Sequence, residues 1–510
     1  MNLRLLTRAS FCTKNTPLPI QRSLKLDSNI QEFKQKYSEI SSSEEISDNV
    51  SLAGRIIGIR KANKNIHFLD LSSNGTKVQA KIDKRVSEGI LGKDLDRGDI
   101  ISLQGNPGRT RAGELSLIAT NCALLSKCHH NMPMMNYTHT QTLKDAELRF
   151  QKRYLDSICN PKVHELFLGR AKIIKSMRHF LESKGYLEVE TPLLNSQASG
   201  ALARPFKTRA NELKADLELR IAPELYLKQL IIGGFEKVYE IGKVFRNEGI
   251  DTTHNPEFTT CEFYQAYADY ETMMELTEEM LNYIVTDIFD TSKITIQKNT
   301  SKKEKQKDPQ LIEIDFSKPF QRYDVLEEIE NYCNEKIDLE DPDLRLKLEG
   351  LLYEAFPNKY QENMNEKQLF DKLIEGIIEP KCTQPSYIIH HPSIMSPLAK
   401  TSERNPLISE RFELFINSME VINAYTEEND HQAQSASFAK QKELQESHSD
   451  DDEILQTDDS YLKAMSYGMP PTGGCGIGID RLCMLLFNQA SIREVILFPM
   501  FRSSVLKPTK

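Results

Sequence analysis

The chain has 510 residues with 39% hydrophobic and 27% charged side chains, and because single cores stop growing at roughly 250–300 residues, this length predicts several domains. The formal net charge of −9 argues against nonspecific nucleic-acid binding over the whole surface, and no run approaches the ~20 apolar residues that a membrane span needs. The nine cysteines are an odd number without any C-x-x-C pair, which indicates reduced thiols in an intracellular compartment.

Residues 1–26 have the composition of a mitochondrial transit peptide. Basic residues occur among Ser and Thr, no acidic residue precedes Asp27, and leucines near the start supply an apolar side. A secretory signal would need a continuous apolar core, which this segment lacks. The sequence therefore predicts import into the mitochondrial matrix, with a cytoplasmic form left open. A disordered basic tail is the alternative.

Residues 27–142 predict a polar helix followed by a small β-barrel. Short β-like runs are separated by Gly, Asn and Pro turns, and a short helix is expected near residues 86–95. Phe68 is either a core side chain or a stacking platform for a nucleic-acid base, and the pattern does not decide between them. The strands of this OB-type barrel are expected at residues 50–59, 66–71, 77–82, 99–105 and 114–125.

A charged helical segment at residues 143–162 is predicted to link the barrel to a second domain, residues 163–510. That domain begins with a helix at residues 162–185, and a strand-like run follows at residues 186–194. Pro192 confines this strand to an edge or an interface, because proline cannot donate a ladder hydrogen bond. We therefore expect a subunit contact here, with a loop-capped edge as the alternative.

The stretch at residues 244–267 predicts two antiparallel strands joined by a long loop. Arg246 and Glu248 are two residues apart, as are Glu262 and Tyr264, and side chains at this spacing share one face of a strand. Both pairs can therefore point into one cavity that offers a guanidinium for a phosphate and carboxylates for an amine. The alternative is a surface hairpin whose charges are solvated. The apolar neighbours favour a partly buried site.

Residues 411–425 predict a second hairpin with a turn at Asn417-Ser418. If the hairpin forms, Glu413 and Glu420 can meet across it and chelate Mg²⁺ together with a polyphosphate. Two acids in a hairpin are more often solvated, so this hypothesis depends on a nearby phosphate site. An insertion is expected at residues 297–380, where the sequence is polar and then mostly helical.

Three motifs in this order resemble those of the class II aminoacyl-tRNA synthetases. They are KGYLEVETPLL around Pro192, FRNEG with HNPEF around Arg246, and GIGIDR ending at Arg481. An OB-like domain ahead of them is similar to the branch that contains the aspartyl, asparaginyl and lysyl enzymes. Within that branch the chain resembles the lysyl-tRNA synthetases most. The segments that carry this resemblance are GALARPF, RIAPELYLKQLIIGGFEKVYEIGKVFRNEG, SPLAK and REVILFP.

This resemblance implies an α+β fold: an N-terminal OB barrel that binds an anticodon, followed by a catalytic domain built on an antiparallel sheet flanked by helices. It implies a homodimer that activates L-lysine with ATP and transfers it to tRNA(Lys), with Mg²⁺ as cofactor. The alternatives are an aspartyl- or asparaginyl-tRNA synthetase, which the acidic pocket disfavours, and a synthetase-like RNA-binding or signalling protein without aminoacylation.

The resemblance also assigns roles to residues, with Arg246 and Arg481 as the catalytic pair. It implies ATP binding by Arg246, Glu248, His254, Asn255, Phe258, Glu413 and Arg481, and metal binding by Glu413 and Glu420. It implies lysine binding by Gly200, Glu224, Glu262, Tyr264, Asn423, Tyr425 and Glu427, and anticodon binding by Phe68, Gln79 and Glu114. Ile422 and Ala424 depart from the family, which has glycines there, and the sequence leaves their effect on the shape of the pocket and on the rate open. This altered stretch resembles fungal-type mitochondrial members.

Overall fold

The computed structural model describes residues 26–41, 46–83, 85, 88–89, 95–132, 143–196, 200, 203–299, 310–317, 319–447 and 458–500. The predicted transit peptide at residues 1–26 lies outside this set except for Leu26, and so do residues 300–309 of the predicted insertion. The chain divides into two compact units, Met1–Phe167 and Leu168–Lys510.

The first unit contains a short helix and a closed barrel. Helix α1 (Ile30–Lys36) begins at Asn29, whose side chain accepts a hydrogen bond from the Glu32 backbone in a capping box. Ile30 and Phe33 of this helix pack into the barrel core. The strands are β1 (Val50–Lys61), β2 (Ile66–Ser73), β3 (Thr76–Asp83), β4 (Glu88–Gly89), β5 (Ile100–Arg109) and β6 (Leu115–Ser126).

The barrel closes because β3 pairs with β6 in addition to the order β3-β2-β1-β5-β6-β4. This arrangement confirms the predicted OB-type barrel. The helix predicted near residues 86–95 is wrong at Glu88–Gly89, which pair with Asn121 and Cys122 of β6 as a short parallel strand. Gly89 weakens a helix, and the free edge of β6 offers backbone hydrogen bonds instead.

Helical segments follow the barrel, as the charged pattern predicts. They are α2 (Ala146–Gln151), α3 (Arg153–Cys159) and α4 (Lys162–Ser183). Arg153 and Asp156 are both buried, with 2.8 Å between the Arg153 guanidinium and the Asp156 carboxylate. Arg149 donates to the same carboxylate at 3.0 Å, so charge pairing compensates for the desolvation of these groups.

A mostly antiparallel sheet dominates the second unit, with eight strands in the described part of the chain. Its order is β15-β16-β17-β18-β19-β12-β11-β7, and only the two outermost pairs are parallel. This sheet and its helices confirm the predicted α+β architecture. The strands are β7 (Leu187–Glu188), β11 (Lys237–Phe245), β12 (Glu257–Ala266), β15 (Gln321–Asp324), β16 (Ser386–Ile389), β17 (Arg411–Ile416), β18 (Met419–Thr426) and β19 (Thr472–Gly478).

Helices and two small sheets complete this unit. The helices are α5 (Glu224–Ile232), α6 (Tyr270–Phe289), α7 (Val325–Cys333), α8 (Leu344–Ala355), α9 (Glu366–Ile377), α10 (His431–Ser447), α11 (Asp459–Met465), α12 (Ile479–Leu486) and α13 (Ile492–Val495). The short strands are β8 (Leu194–Asn195), β9 (Lys207–Ala210), β10 (Ala215–Leu219), β13 (Lys293–Gln297) and β14 (Leu311–Asp315). Among the residues described, no helix has the length and apolarity to cross a membrane.

The insertion predicted at residues 297–380 is only partly separate from the main sheet. Helices α7–α9 have a core of their own, but β15 pairs in parallel with β16 and so extends the central sheet. The run at residues 186–194 contributes to two short strands in different sheets, since β7 pairs with β11 and β8 pairs with β10, and Pro192 lies between them. As expected, β7 lies at the edge of the sheet.

Candidate active site

The β11–β12 hairpin holds the site together. Its strands pair from Lys237 to Phe245, and the loop closes where the Arg246 amide donates to the Pro256 carbonyl at 2.9 Å. The Arg246 guanidinium carbon lies 5.2 Å from the centre of the Phe258 ring. Its buried Nε makes no hydrogen bond to the described residues. This guanidinium is therefore available to an incoming anion, and its planar fork suits a phosphate.

Two adjoining clefts open on this hairpin. The first cleft has an empty volume of about 980 Å³, and its lining includes six of the seven residues predicted for ATP, namely Arg246, Glu248, His254, Asn255, Phe258 and Arg481. Glu413, the seventh, is not among its lining residues, whereas Glu420 is. Two guanidinium groups and an aromatic ring in one cleft suit a purine nucleotide with its phosphates.

The second cleft, of about 930 Å³, brings together residues that are far apart in sequence. Its lining includes every residue predicted for lysine: Gly200, Glu224, Glu262, Tyr264, Asn423, Tyr425 and Glu427. The two clefts share Arg246, Glu262, Asn423 and Gly476. A molecule in the second cleft can therefore meet a phosphate in the first one beside Arg246.

The second cleft is acidic and mostly buried. The Tyr264 hydroxyl donates to Glu262 at 3.1 Å, and the Tyr425 hydroxyl donates to Glu224 at 2.8 Å. Burial, reinforced by the Glu224 carboxylate, raises the pKa of Glu262 from 4.5 to about 8. An ammonium group from a ligand would lower that pKa, because a nearby positive charge stabilises the ionised form of the carboxylate.

The raised pKa of Glu262 predicts how the stability of the ligand-free protein depends on pH. Because its pKa is raised on folding, the folded state holds more protons than the unfolded state, and this contribution to stability falls as pH rises from 4.5 to about 8. Glu262→Gln removes the titration, so the variant should be more stable than the parent at pH 8 by about 1–3 kcal/mol. Urea unfolding across this pH range measures the difference, which should shrink towards pH 4.5. A variant that is equally destabilised at both ends of the range would contradict the prediction.

The glycine-rich strand β19 makes room for the acidic side chains. A Cβ at Gly474 would lie 2.0 Å from Glu427 Oε1 and 2.6 Å from the Tyr264 ring, which no side chain could tolerate. The absence of a side chain at Gly474 therefore admits pocket residues of the protein itself.

The hairpin predicted at residues 411–425 forms, with positive φ at both Asn417 and Ser418, as a tight hairpin turn requires. Asn423 and Tyr425 line the clefts, whereas Ile422 and Ala424 do not and are buried. Because side chains alternate along β18, the two departures from the family pattern point to the opposite face. Nothing in this placement alters the shape of the lining.

Glu413 and Glu420 are each held by a cation. Burial opposes ionisation of Glu413, but the Arg411 guanidinium and His391 hold its pKa at about 2. Arg411 donates to Glu413 at 2.5 Å, and Arg481 donates to Glu420 at 2.8 Å. Among the residues described, no group of three or more His, Cys, Asp or Glu could hold a metal ion. Two carboxylates still suit Mg²⁺ when phosphate oxygens complete its coordination.

The contacts of the neighbouring residue Asp480 position Arg481. The Asp480 carboxylate accepts a hydrogen bond from the Thr259 amide at 2.7 Å and lies 2.7 Å from the Arg170 guanidinium. These contacts fix the first turn of α12, which carries Arg481. One guanidinium nitrogen of Arg481 lies 3.2 Å from Nε2 of His254, and Glu420 holds another. An incoming triphosphate would compete with these contacts.

Sequence reasoning missed two basic residues of the second cleft. Arg411 lines it and donates to Asn423 at 3.1 Å. Lys228 lies beneath it, fully buried, 2.5 Å from the Glu224 carboxylate. The four-residue spacing between Glu224 and Lys228 on one helix was the available signal, since it places both side chains on one face.

The barrel brings its three predicted anticodon residues to one area. The Gln79 side chain donates to Glu114 at 2.6 Å and accepts from Ser116 at 2.9 Å. Phe68 lies on β2 opposite Lys81 of β3, is half-buried, and is absent from the barrel core. A partly exposed ring beside amide and carboxylate groups can stack on a base whose edge is read by hydrogen bonds.

Comparison with known proteins matches two parts of the chain to known families. Residues 145–502 match a family described as tRNA synthetases class II (D, K and N), and residues 50–125 match the OB-fold nucleic acid binding domain. The chain is 43% identical to the "Probable lysine–tRNA ligase, cytoplasmic" of Encephalitozoon cuniculi, over 92% of this chain and 90% of that protein.

Further relatives come from fungi and bacteria. A lysine–tRNA ligase of Cladosporium cladosporioides is 40% identical over 96% of this chain and 82% of its own length. A lysine–tRNA ligase of Aquifex aeolicus is 44% identical over 90% of this chain and 73% of its own length. With both domains matched and relatives of this identity over most of its length, the chain belongs to the class II tRNA synthetases, in the lysine–tRNA ligase family.

Proposed function

We propose that this protein activates L-lysine with ATP to form lysyl-adenylate and pyrophosphate, and then transfers lysine to the 3′ end of tRNA(Lys). One observation carries the proposal: Arg246 lies where an acidic cleft meets a cleft suited to a nucleotide. The relatives at 40–44% identity, each named lysine–tRNA ligase, support it.

The reaction needs no nucleophile from the protein. The lysine carboxylate attacks the α-phosphorus of ATP, and pyrophosphate leaves on the opposite side. Arg246 would stabilise the charge that develops on the α-phosphate, and Arg481 would hold the outer phosphates with His254. Catalysis then consists of positioning and charge stabilisation in a partly buried site.

Glu413 and Glu420 would hold Mg²⁺ in this proposal, which is supported by the lowered pKa of Glu413 and by the preference of Mg²⁺ for carboxylate oxygens. The ion would neutralise charge on the pyrophosphate as it leaves. Its binding can be checked without turnover, because ATP with Mg²⁺ should raise the melting temperature of the parent protein more than ATP with EDTA. An equal increase in both conditions would refute a metal site.

The acidic second cleft argues against the related amino acids. Aspartate and asparagine carry no side-chain ammonium, and a carboxylate placed beside Glu262 and Glu427 would be repelled. A synthetase-like protein without aminoacylation is disfavoured by the intact pair Arg246 and Arg481. Charging of tRNA transcripts tests the proposal: lysine should attach to tRNA(Lys), and attachment of aspartate to tRNA(Asp) instead would overturn it.

We propose that the barrel reads the anticodon through Phe68, Gln79 and Glu114. Phe68→Ala removes a stacking surface, so KM for tRNA(Lys) should rise about 10-fold or more, since stacking contributes ~1–3 kcal/mol. Lysine activation without tRNA should be unchanged in the same variant. Charging assays with intact and anticodon-altered transcripts measure the effect. An unchanged KM for tRNA would remove Phe68 from the interface.

We also propose a homodimer. Strand β7 lies at a sheet edge, and Leu187, Leu193 and Leu194 in or near it are exposed, which leaves an apolar surface for a partner. Light scattering on the full chain should give twice the chain mass of 58.4 kDa. A mass of one chain at micromolar concentration would contradict the proposal.

A mitochondrial location is proposed from residues 1–26 alone, and a cytoplasmic form stays possible. The composition of the segment supports import, whereas the relatives include proteins named as cytoplasmic. Fusion of residues 1–26 to a fluorescent reporter tests the location. Diffuse cytoplasmic fluorescence would refute a targeting role for this segment.

A further inference from the structure

A buried lysine of the protein itself lies between the carboxylates of the second cleft. Lys228 is fully buried on α5, and its Nζ contacts the carboxylates of both Glu224 and Glu427. The rings of Tyr425 and Tyr461 flank the ammonium, with centroids 5.6 and 5.8 Å from Nζ. Several opposing groups thus hold this ammonium in a single position.

The charges of the cleft match a diamino acid when Lys228 is counted, since the Arg411 guanidinium in the lining already pairs with Glu413. Glu224, Glu262 and Glu427 supply three carboxylates to the lining. Free lysine brings two ammonium groups, and its carboxylate can pair with Arg246. Three buried negative charges against two positive ones would leave one carboxylate uncompensated, which is costly in a desolvated site. Lys228 supplies the missing positive charge.

One carboxylate oxygen of Glu427 is available to accept a hydrogen bond from a ligand. Glu427 Oε1 is buried and makes no hydrogen bond to the described residues, while Lys228 contacts Oε2. Gly474 has no side chain, and a Cβ at this position would lie 2.0 Å from Glu427 Oε1. An orphaned carboxylate oxygen in a cleft lining marks a place for a donor from outside the protein.

We propose that Lys228 is a positioning residue for amino-acid specificity: a fixed counter-charge that balances the Glu224 and Glu427 carboxylates, so that the cleft selects a substrate with two ammonium groups. This inference rests on the proposed function and adds to it the residue that sets the charge of the pocket. Lys228 acts through the two carboxylates and does not need to touch the substrate.

The environment of Lys228 makes this role sensitive to pH. Burial opposes its charge, but the Glu224 and Glu427 carboxylates outweigh burial and raise its pKa. Burial also raises the pKa of Glu427, and Lys228 opposes that increase. Without Lys228, burial would raise the pKa of Glu427 further and weaken the attraction of its carboxylate for ammonium. The titratable groups around this cluster are Glu224 on α5, Tyr425 on β18, Glu427, Tyr461 on α11, and Glu262 and Tyr264 on β12.

Lys228→Met tests the proposal, because methionine keeps the length of the side chain and removes its charge. In ATP–pyrophosphate exchange with the full chain, KM for lysine should rise on the order of 100-fold at neutral pH, with KM for ATP nearly unchanged. The ratio of variant to parent KM for lysine should fall as pH rises, since alkaline pH ionises the Glu427 carboxylate again. A purely structural role would change both KM values and give a ratio that does not depend on pH.

A second variant keeps the proposal testable if Lys228→Met does not fold. Lys228→Gln keeps a hydrogen-bond donor without the charge and should show the same lysine-specific, pH-dependent increase in KM. An unchanged KM for lysine, a loss that pH does not alter, or failure of both variants to fold would each overturn the specificity role. If the parent protein shows no lysine-dependent exchange, the proposed function fails instead, so the two failures are distinguishable.

Discussion

Arg246→Ala should lower lysine-dependent ATP–pyrophosphate exchange on the order of 10³-fold, because it removes the guanidinium expected to stabilise the α-phosphate in the transition state. The buried Nε has no partner among the described residues, so the substitution breaks no hydrogen bond of that atom. The loss should therefore appear mainly in kcat, with little change in melting temperature.

Arg209→Ala is a matched control. Arg209 lies on β9 in the same unit, is exposed, and pairs with Asp216 at the surface. Its substitution should leave exchange unchanged, since a surface ion pair contributes little to stability. Exchange by Arg246→Ala at the rate of the parent would remove Arg246 from the catalytic pair.

Glu427→Gln should raise KM for lysine about 10²–10³-fold, since loss of one partner of a buried charge pair costs ~2–5 kcal/mol. The effect should be specific to the amino acid, because Glu427 lines the second cleft and not the first. KM for ATP is expected to stay within about twofold of the parent value. Initial exchange rates over a range of lysine and ATP concentrations separate the two constants.

Glu271→Gln controls for the loss of one negative charge. Glu271 is half-exposed on α6 and pairs with Arg322, away from the residues that line either cleft. This variant should bind lysine as the parent does. Equal increases in KM for lysine and for ATP in Glu427→Gln would indicate general distortion and contradict a specific role in the lysine pocket.

The barrel and the two central hairpins were predictable from local patterns. Alternating apolar residues between Gly, Asn and Pro turns located β1–β3, β5 and β6, and the turn at Asn417 and Ser418 located the β17–β18 hairpin. Periodicity of this kind reflects burial of one strand face and needs no long-range information. Short strands such as β4 gave no such pattern, because two residues cannot show a period.

The partners of each site residue were less predictable. The spacing of Glu262 and Tyr264 placed them on one face of a strand, and the structure puts both in the second cleft. Glu224 and Glu427 reach the same cleft from a helix and from the end of another strand. Only the resemblance to a family linked them, since sequence spacing carries no information about tertiary proximity at this separation.

Glu413 and Glu420 show what a local pattern leaves out. β17 and β18 shift register between Leu414 and Phe415, so that Glu413 pairs with Asn423 and Phe415 pairs with Glu420. Such a bulge changes which side chains of the two strands share a face, and period-two reasoning does not include it. Arg411 and His391 hold the Glu413 carboxylate in its place.

The most direct measurement is ATP–pyrophosphate exchange by the purified full chain, with lysine, aspartate and asparagine supplied one at a time. Exchange should depend on lysine and stay at background with aspartate or asparagine, because the second cleft presents carboxylates to a cationic side chain. Exchange driven by aspartate or asparagine, or no exchange with any of the three, would contradict lysine activation by this protein.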